Sequence, residues 1–260
     1  MDIENDNKGS EKDIISILAE WEYDPDSNVR KIVGEDGIPK IQIRVDQGAF
    51  QGILQLNLDG RPDGKRPHDV DFVLDYYRAS LESHRAQRDG PQGFELNRES
   101  CQELFDEGAR VYGRYVFLLQ LKEYDRVIRD TERNMELFRF VHRYAAHEDD
   151  RMNLQKWWPF ILRINGTARA MVKADDDLYD EALSIVADAR EQIDALGEVD
   201  AEEFFSELER SRAALDELER EFRDRRPLSE KETLEKELQQ AIDGEEFEAA
   251  ARLRDQLKDL

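Results

Sequence analysis

Apolar residues recur along this chain with two different periods, and the change of period marks its parts. Ile41, Ile43 and Val45 alternate with Gln42 and Arg44, and Leu54, Leu56 and Leu58 alternate with Gln55 and Asn57. That is the period of a strand with one buried face. Val29 and the pair Ile32-Val33 precede a turn at residues 34–37, and Asp59-Gly60 with the Pro/Gly cluster to Pro67 closes the unit. The pattern predicts an antiparallel meander of two or three strands. So small a sheet has to pack on helices.

Elsewhere the period is helical. Ile14, Ile17, Leu18 and Trp21 share one face of a short helix ahead of the strands, and Val70, Val73, Leu74, Tyr77 and Leu81 share one after them. Beyond Gly-Pro-Gln-Gly at residues 90–93, the helical pattern continues to about residue 200, with breaks expected near residues 122–125 and 175–177. The two breaks rhyme: each has an apolar helix, a polar turn, then Tyr-Asp-x-Val or Tyr-Asp-x-Ala, with Val127 and Ala182 standing 55 residues apart. The rhyme resembles degenerate tetratricopeptide repeats, in which a small residue lets paired helices approach. A generic helical bundle fits the same text.

In residues 201–226, Leu208, Leu215 and Phe222 recur every seven, with Phe204, Ser211 and Leu218 at the other heptad position. This is a coiled-coil-like stripe, ended by Pro227, which either pairs with another chain or lies back on the bundle. After it, Ser229 is placed to cap a helix with Glu232 as its capping-box partner. Leu234, Leu238, Ala241 and Ile242 fall on one face, Asp243-Gly244 stops the helix, and Phe247, Ala250, Ala251, Arg254 and Leu257 are expected to share a face of the next. A helical hairpin of this size lies below what folds alone, so it needs a mate.

The fold class expected is therefore α+β, mostly α. Its parts are a disordered tail (1–12), a helix plus β-meander (13–68), a helical bundle (69–200), a coiled-coil-like helix (201–226) and a terminal hairpin (228–260).

Composition narrows the function. The 38 basic and 61 acidic side chains give a formal net charge of −23. Phosphate backbones repel such a chain, so direct nucleic-acid binding is not expected. The single cysteine, Cys101, leaves no disulfide pair or paired-cysteine metal knuckle and reads as a small buried hydrophobe. The polar N-terminal stretch has no signal-peptide core, and no run of about 18 apolar residues spans a membrane, which points to the cytoplasm.

The terminal segment, "LEKELQQAIDGEEFEAAARLRDQLKDL", closely resembles the UVR motif of the UvrB and UvrC subunits of the bacterial excinuclease. The same motif occurs in Clp-type protease chaperones and in adaptors that control them. The likeness is carried by Leu234, Leu238, Ala241, Phe247, Glu248, Ala250, Ala251, Leu253, Arg254, Asp255, Leu257 and Leu260. It implies protein–protein association, homotypic or heterotypic. The interaction residues would be Leu234, Leu238, Ala241, Phe247, Ala250, Ala251, Arg254 and Leu257, with Phe247 and Leu257 as anchors. The expected function is a non-catalytic adaptor recruiting a Clp-type chaperone or a UvrB/UvrC-like subunit, or forming a homodimer. The alternative is an accessory factor in nucleotide excision repair acting through UVR–UVR association.

Other chemistry is weak. There is no Gly-x-x-x-x-Gly-Lys-Ser/Thr loop to cradle a triphosphate. Asp59, Asp63, His68 and Asp69 lie in a turn-rich loop without ligand spacing, though that loop is where a binding surface of the N-terminal unit would be sought. His142 and His147, five residues apart, point away from each other on a helix. No metal, cofactor or catalytic site is expected.

Overall fold

In the computed structural model, which describes residues 14–88, 90–228 and 230–259, the alternating segments form one three-stranded antiparallel sheet in the order β1-β2-β3. Its strands are β1 (Val29–Val33), β2 (Pro39–Gln47) and β3 (Phe50–Asn57). The tail expected at 1–12, the cap at Ser229 and the motif position Leu260 lie outside the described residues. β2 and β3 meet through a two-residue turn, with Gln47 opposite Phe50 and Gly48 in the left-handed region at φ 60°. Glycine takes that conformation at no steric cost.

The expectation of a single buried face fails for β2. Ile41 and Ile43 are buried, but so are Gln42 and Arg44. Arg30 donates two hydrogen bonds to Gln42 Oε1 at 3.0 and 2.8 Å, and Gln42 donates to Gln55 Oε1 at 2.9 Å. The ring of Trp21 lies 4.2 Å from the Arg30 guanidinium. On the second face Gln42 is thus buried with its polar partners, while Arg44 donates to the Val45 carbonyl at 3.2 Å and its Nε has no partner. The helix expected near the start is α1 (Ile15–Glu20), one turn and a half with no buried residue. Leu18 and Trp21 are half-buried while Ile14 and Ile17 stay exposed.

The apolar face of the sheet rests on helices. Ile41, Ile43 and Leu58 form one cluster with Val111, Tyr115 and Leu118 of α3 (Arg98–Gln120) and Val127 of α4 (Tyr124–Tyr144). α2 (Val73–Arg88) joins a larger cluster through Val73, Leu74 and Leu81. α3 pairs with α4, and after the short α5 (Glu148–Asn153) α6 (Trp158–Asp175) pairs with α7 (Tyr179–Asp194). The helix breaks stand where the pattern predicts them. α6 and α7 approach very closely: a Cβ at Gly166 would stand 2.5 Å from Cβ of Ala189.

The heptad stripe lies on α8 (Glu202–Arg225), which packs against α6 and α7. Phe204, Ser211, Leu215 and Phe222 are buried, so the stripe lies back on its own bundle.

The sheet and the helices are joined by buried charge. Arg114 of α3 donates to both carboxylate oxygens of Asp130 on α4, at 2.6 and 2.9 Å. Its remaining nitrogen donates to the carbonyls of Asn57 and Gly60, at 3.0 and 2.7 Å, and neither charged side chain is exposed to solvent by more than 2%. Nearby, Arg61 pairs with Glu107 at 3.0 Å, and Glu107 accepts from the backbone N–H groups of Val73 and Leu74 at the start of α2. Those N–H groups have no partner within their own helix.

Two stability predictions follow from these contacts. Gly166→Ala forces α6 and α7 apart and lowers stability by about 1–3 kcal/mol, the usual range for overpacking, read as a lower urea midpoint. Asp130→Ala leaves a guanidinium buried without its counter-charge and costs about 3–5 kcal/mol in the same measurement.

Candidate functional site

The terminal hairpin consists of α9 (Glu230–Asp243) and α10 (Phe247–Asp259), which pack on each other. Its inner side holds Leu234, Leu238 and Ala241 from α9 and Ala250, Leu253 and Leu257 from α10. Of the eight residues assigned to interaction, Leu234, Leu238, Ala241, Ala250 and Leu257 thus close the hairpin on itself. Phe247, Ala251 and Arg254 point outward. The single face expected for α10 is two faces. Phe247, Ala251, Arg254 and Lys258 form a stripe roughly 90° around the helix from the inner residues, at the usual 3.6 residues per turn.

The turn that positions Phe247 occurs three times among the described residues. Lys122, Asp177 and Glu245 each have a left-handed backbone, with φ of 57°, 60° and 56°. Each donates its N–H three residues back, to Leu119, Ala174 and Ile242. The residue after each donates five back, to Leu118, Lys173 and Ala241. This pair of bonds closes a helix C-terminus in the Schellman manner. An aromatic residue then opens the next helix: Tyr124, Tyr179 and Phe247, each followed by an acid and, two positions on, by Val127, Ala182 or Ala250. The small residue is buried in all three. The kinship of the terminal turn with the other two was missed from sequence, although aromatic-acid-x-small after a polar turn would have revealed it.

The aromatic residues differ in their cover. Tyr124 is 8% exposed and Tyr179 6%, whereas Phe247 is 71% exposed. Tyr179 meets the Phe222 ring of α8 edge-on at 6.3 Å. Burial pushes the Tyr124 phenol up, aided by the charges of Asp175 and Glu221 at the ends of α6 and α8. In both earlier hairpins, later helices close over the aromatic. Among the described residues, nothing closes over Phe247.

Residues 229–260 match the UvrB/uvrC motif. The match spans the two helices of the UVR hairpin, and this motif is a protein-interaction motif. No curated protein and no solved structure gives a significant match to the chain. No helix among the described residues is long and apolar enough to cross a membrane.

The other candidate groups are engaged in structure. Asp59 pairs with Arg126 at 3.0 Å and with Arg129, and Asp63 pairs with Arg61 at 2.7 Å and Arg110 at 3.3 Å. His68 lies 3.0 Å from Glu103 and stacks on Tyr76 at 4.1 Å. The turn-rich loop is therefore fastened to α3 and α4. Cys101 is buried, and burial pushes its thiol up to about 11, with the charge of Asp150 adding to the effect. His142 ends α4 and His147 precedes α5, and among the described residues no cluster of three or more His, Cys, Asp or Glu side chains is arranged to hold a metal ion.

The hydrogen bond from Arg126, opposed by partial burial and helped by Arg129, holds Asp59 at about 2, below its ordinary 3.8. The stabilisation it supplies is complete above the ordinary value and is lost as pH falls through the lowered one. Urea midpoints of wild type and Asp59→Asn should therefore differ at neutral pH and converge as pH falls from about 4 to about 2.

Proposed function

We propose that this protein is a non-catalytic adaptor whose UVR hairpin recruits a helical surface of a partner protein, with Phe247 as the anchor. The observation behind this reading is the 71% exposure of Phe247 at a turn whose two counterparts in the same chain lie under neighbouring helices. A large exposed aromatic at a position built to be covered is a favourable contact for another chain, because burying it removes apolar surface from water. Ala251, one turn along the stripe, lets a partner helix approach, and Arg254 and Lys258 supply charge at its rim. The partner is a Clp-type chaperone or a UvrB/UvrC-like subunit.

A second reading, an accessory in nucleotide excision repair through UVR–UVR pairing, draws on the charge order of α10. Glu245, Glu246 and Glu248 surround its start, while Arg252, Arg254 and Lys258 follow towards its end. A second UVR hairpin of the same charge order, laid antiparallel, meets opposite charges at both ends. The acidity of the chain disfavours direct contact with DNA in either reading.

Affinity capture from native lysate with wild type and with Phe247→Asp tests the proposal. The expected result is a partner present with wild type and lost with the variant, while circular dichroism of the two is the same. A chaperone supports the first reading alone, whereas an excinuclease subunit is compatible with both and favours the second. Identical partner lists would sink both.

A further inference from the structure

The body of the molecule carries a cavity that the hairpin does not touch. It lies between α3, α4, α6 and α8 and measures about 300 Å³, the lower end of the range for small-ligand sites. Its walls are the rings of Phe105, Tyr112, Tyr115, Phe138, Trp157 and Phe160. Ala109, Tyr112 and Trp157 are solvent-exposed and form its rim.

Among the described residues, five buried side-chain nitrogen or oxygen atoms lack a hydrogen-bond partner, and two of them belong to residues lining this one cavity. They are Oδ1 of Asn134 and Oε2 of Glu207. Both are acceptors. The Asn134 amide is oriented by its own Nδ2, which donates to the Gly108 carbonyl at 2.9 Å and leaves Oδ1 unused. The same amide also bonds the Tyr115 phenol, which burial pushes well up against the lowering effect of that bond. A buried acceptor without a donor costs free energy, and a ligand that supplies one recovers it.

The charges around the cavity select the donor. Glu207 Oε1 accepts from Arg210 at 3.0 Å, and Arg163 stands 3.9 Å from Oε2. Two guanidinium groups already face one carboxylate, so a cationic ligand would meet excess positive charge. Arg163 itself is depressed by burial, which marks surroundings poor in water. An anion would meet the two acceptor oxygens. A neutral donor on an apolar ring satisfies both conditions.

We propose that this cavity binds a small planar aromatic group bearing a neutral N–H or O–H donor, of the indole or phenol class. The ring packs among the six aromatic walls, and its donor reaches Asn134 Oδ1 or Glu207 Oε2. The site is independent of Phe247 and of the partner that the hairpin recruits.

Calorimetric titration of the full chain with indole and with 1-methylindole tests this without altering the protein. Indole should bind, and 1-methylindole, which keeps the ring and lacks the donor, should bind at least about tenfold more weakly, one good hydrogen bond to a charged acceptor. Ala109→Trp at the exposed rim should abolish indole binding with an unchanged circular dichroism spectrum. N-acetyltryptophanamide separates the sources: binding comparable to indole identifies a side chain of another protein, and binding of indole alone identifies a free small molecule. No binding of indole up to its solubility, equal affinity for the two indoles, or full binding by Ala109→Trp would each overturn the proposal.

Discussion

The bidentate pair between Arg114 and Asp130 is the contact on which the arrangement of this molecule turns. An ion pair taken fully out of water rarely stabilises a fold by more than well-packed apolar residues would. Here the guanidinium does something an apolar residue could not. Beyond Asp130 it satisfies the carbonyls of Asn57 and Gly60, at the end of β3 and in the turn after it. An apolar replacement would leave both carbonyls bare in the interior. The pair therefore does two jobs: it joins α3 to α4, and it seats the sheet against both. Arg61 and Glu107 repeat the device from the other side, with Glu107 also closing the open N-terminus of α2. Two buried polar networks, adjoining along the chain at Gly60-Arg61, tie the sheet and the loop to three helices, so a shift of any of these parts unpairs a charge.

The hairpins α3–α4, α6–α7 and α9–α10 follow a repeated rule. A left-handed residue ends one helix, an aromatic residue opens the next, and a small residue two positions after the intervening acid lets the pair close. The aromatic side chain is too large for the hairpin to cover by itself, so it waits for a later helix. α8 does this for Tyr179 through Phe222. The heptad stripe on α8 has that local cause: it is the underside of a helix that covers α6 and α7.

The parts legible in the sequence are those set by local periodicity and turn chemistry. Helix breaks near Lys122 and Asp177, the meander, the buried Cys101 and the terminal hairpin all follow from neighbours within a few residues. The parts that were not legible depend on partners far along the chain. Gln42 and Arg44 look like a solvent-facing row, yet both are buried, Gln42 through Arg30 and Gln55 across the sheet. Arg114 and Asp130 have the spacing of ordinary surface charges, and the turn-rich loop around Asp59 looks like a binding surface until Arg126 and Arg129 close on it. Within the UVR motif, a one-residue rotation distinguishes Ala250 from Ala251. Motif resemblance groups them, while the hairpin places one inside and one outside.

That rotation bears on how the hairpin works. Its interior is built from Leu234, Leu238, Leu253 and Leu257, each only half-buried, around two alanines. Its link to the body includes Arg226, which reaches Asp180 at 3.0 Å and also Glu232, through largely exposed ion pairs of the kind that contribute little. The one bulky aromatic of the hairpin, which in the other two repeats is part of the core, is held out of it. A hairpin of two short helices with half-buried leucines has little stability in reserve, since isolated helices of this length are marginal in water. Covering Phe247 with a partner helix would complete the same three-helix contact that α8 completes for Tyr179. Association and consolidation of the hairpin would then be a single event, and the partner's affinity would depend on how much of the hairpin's order is already present before they meet.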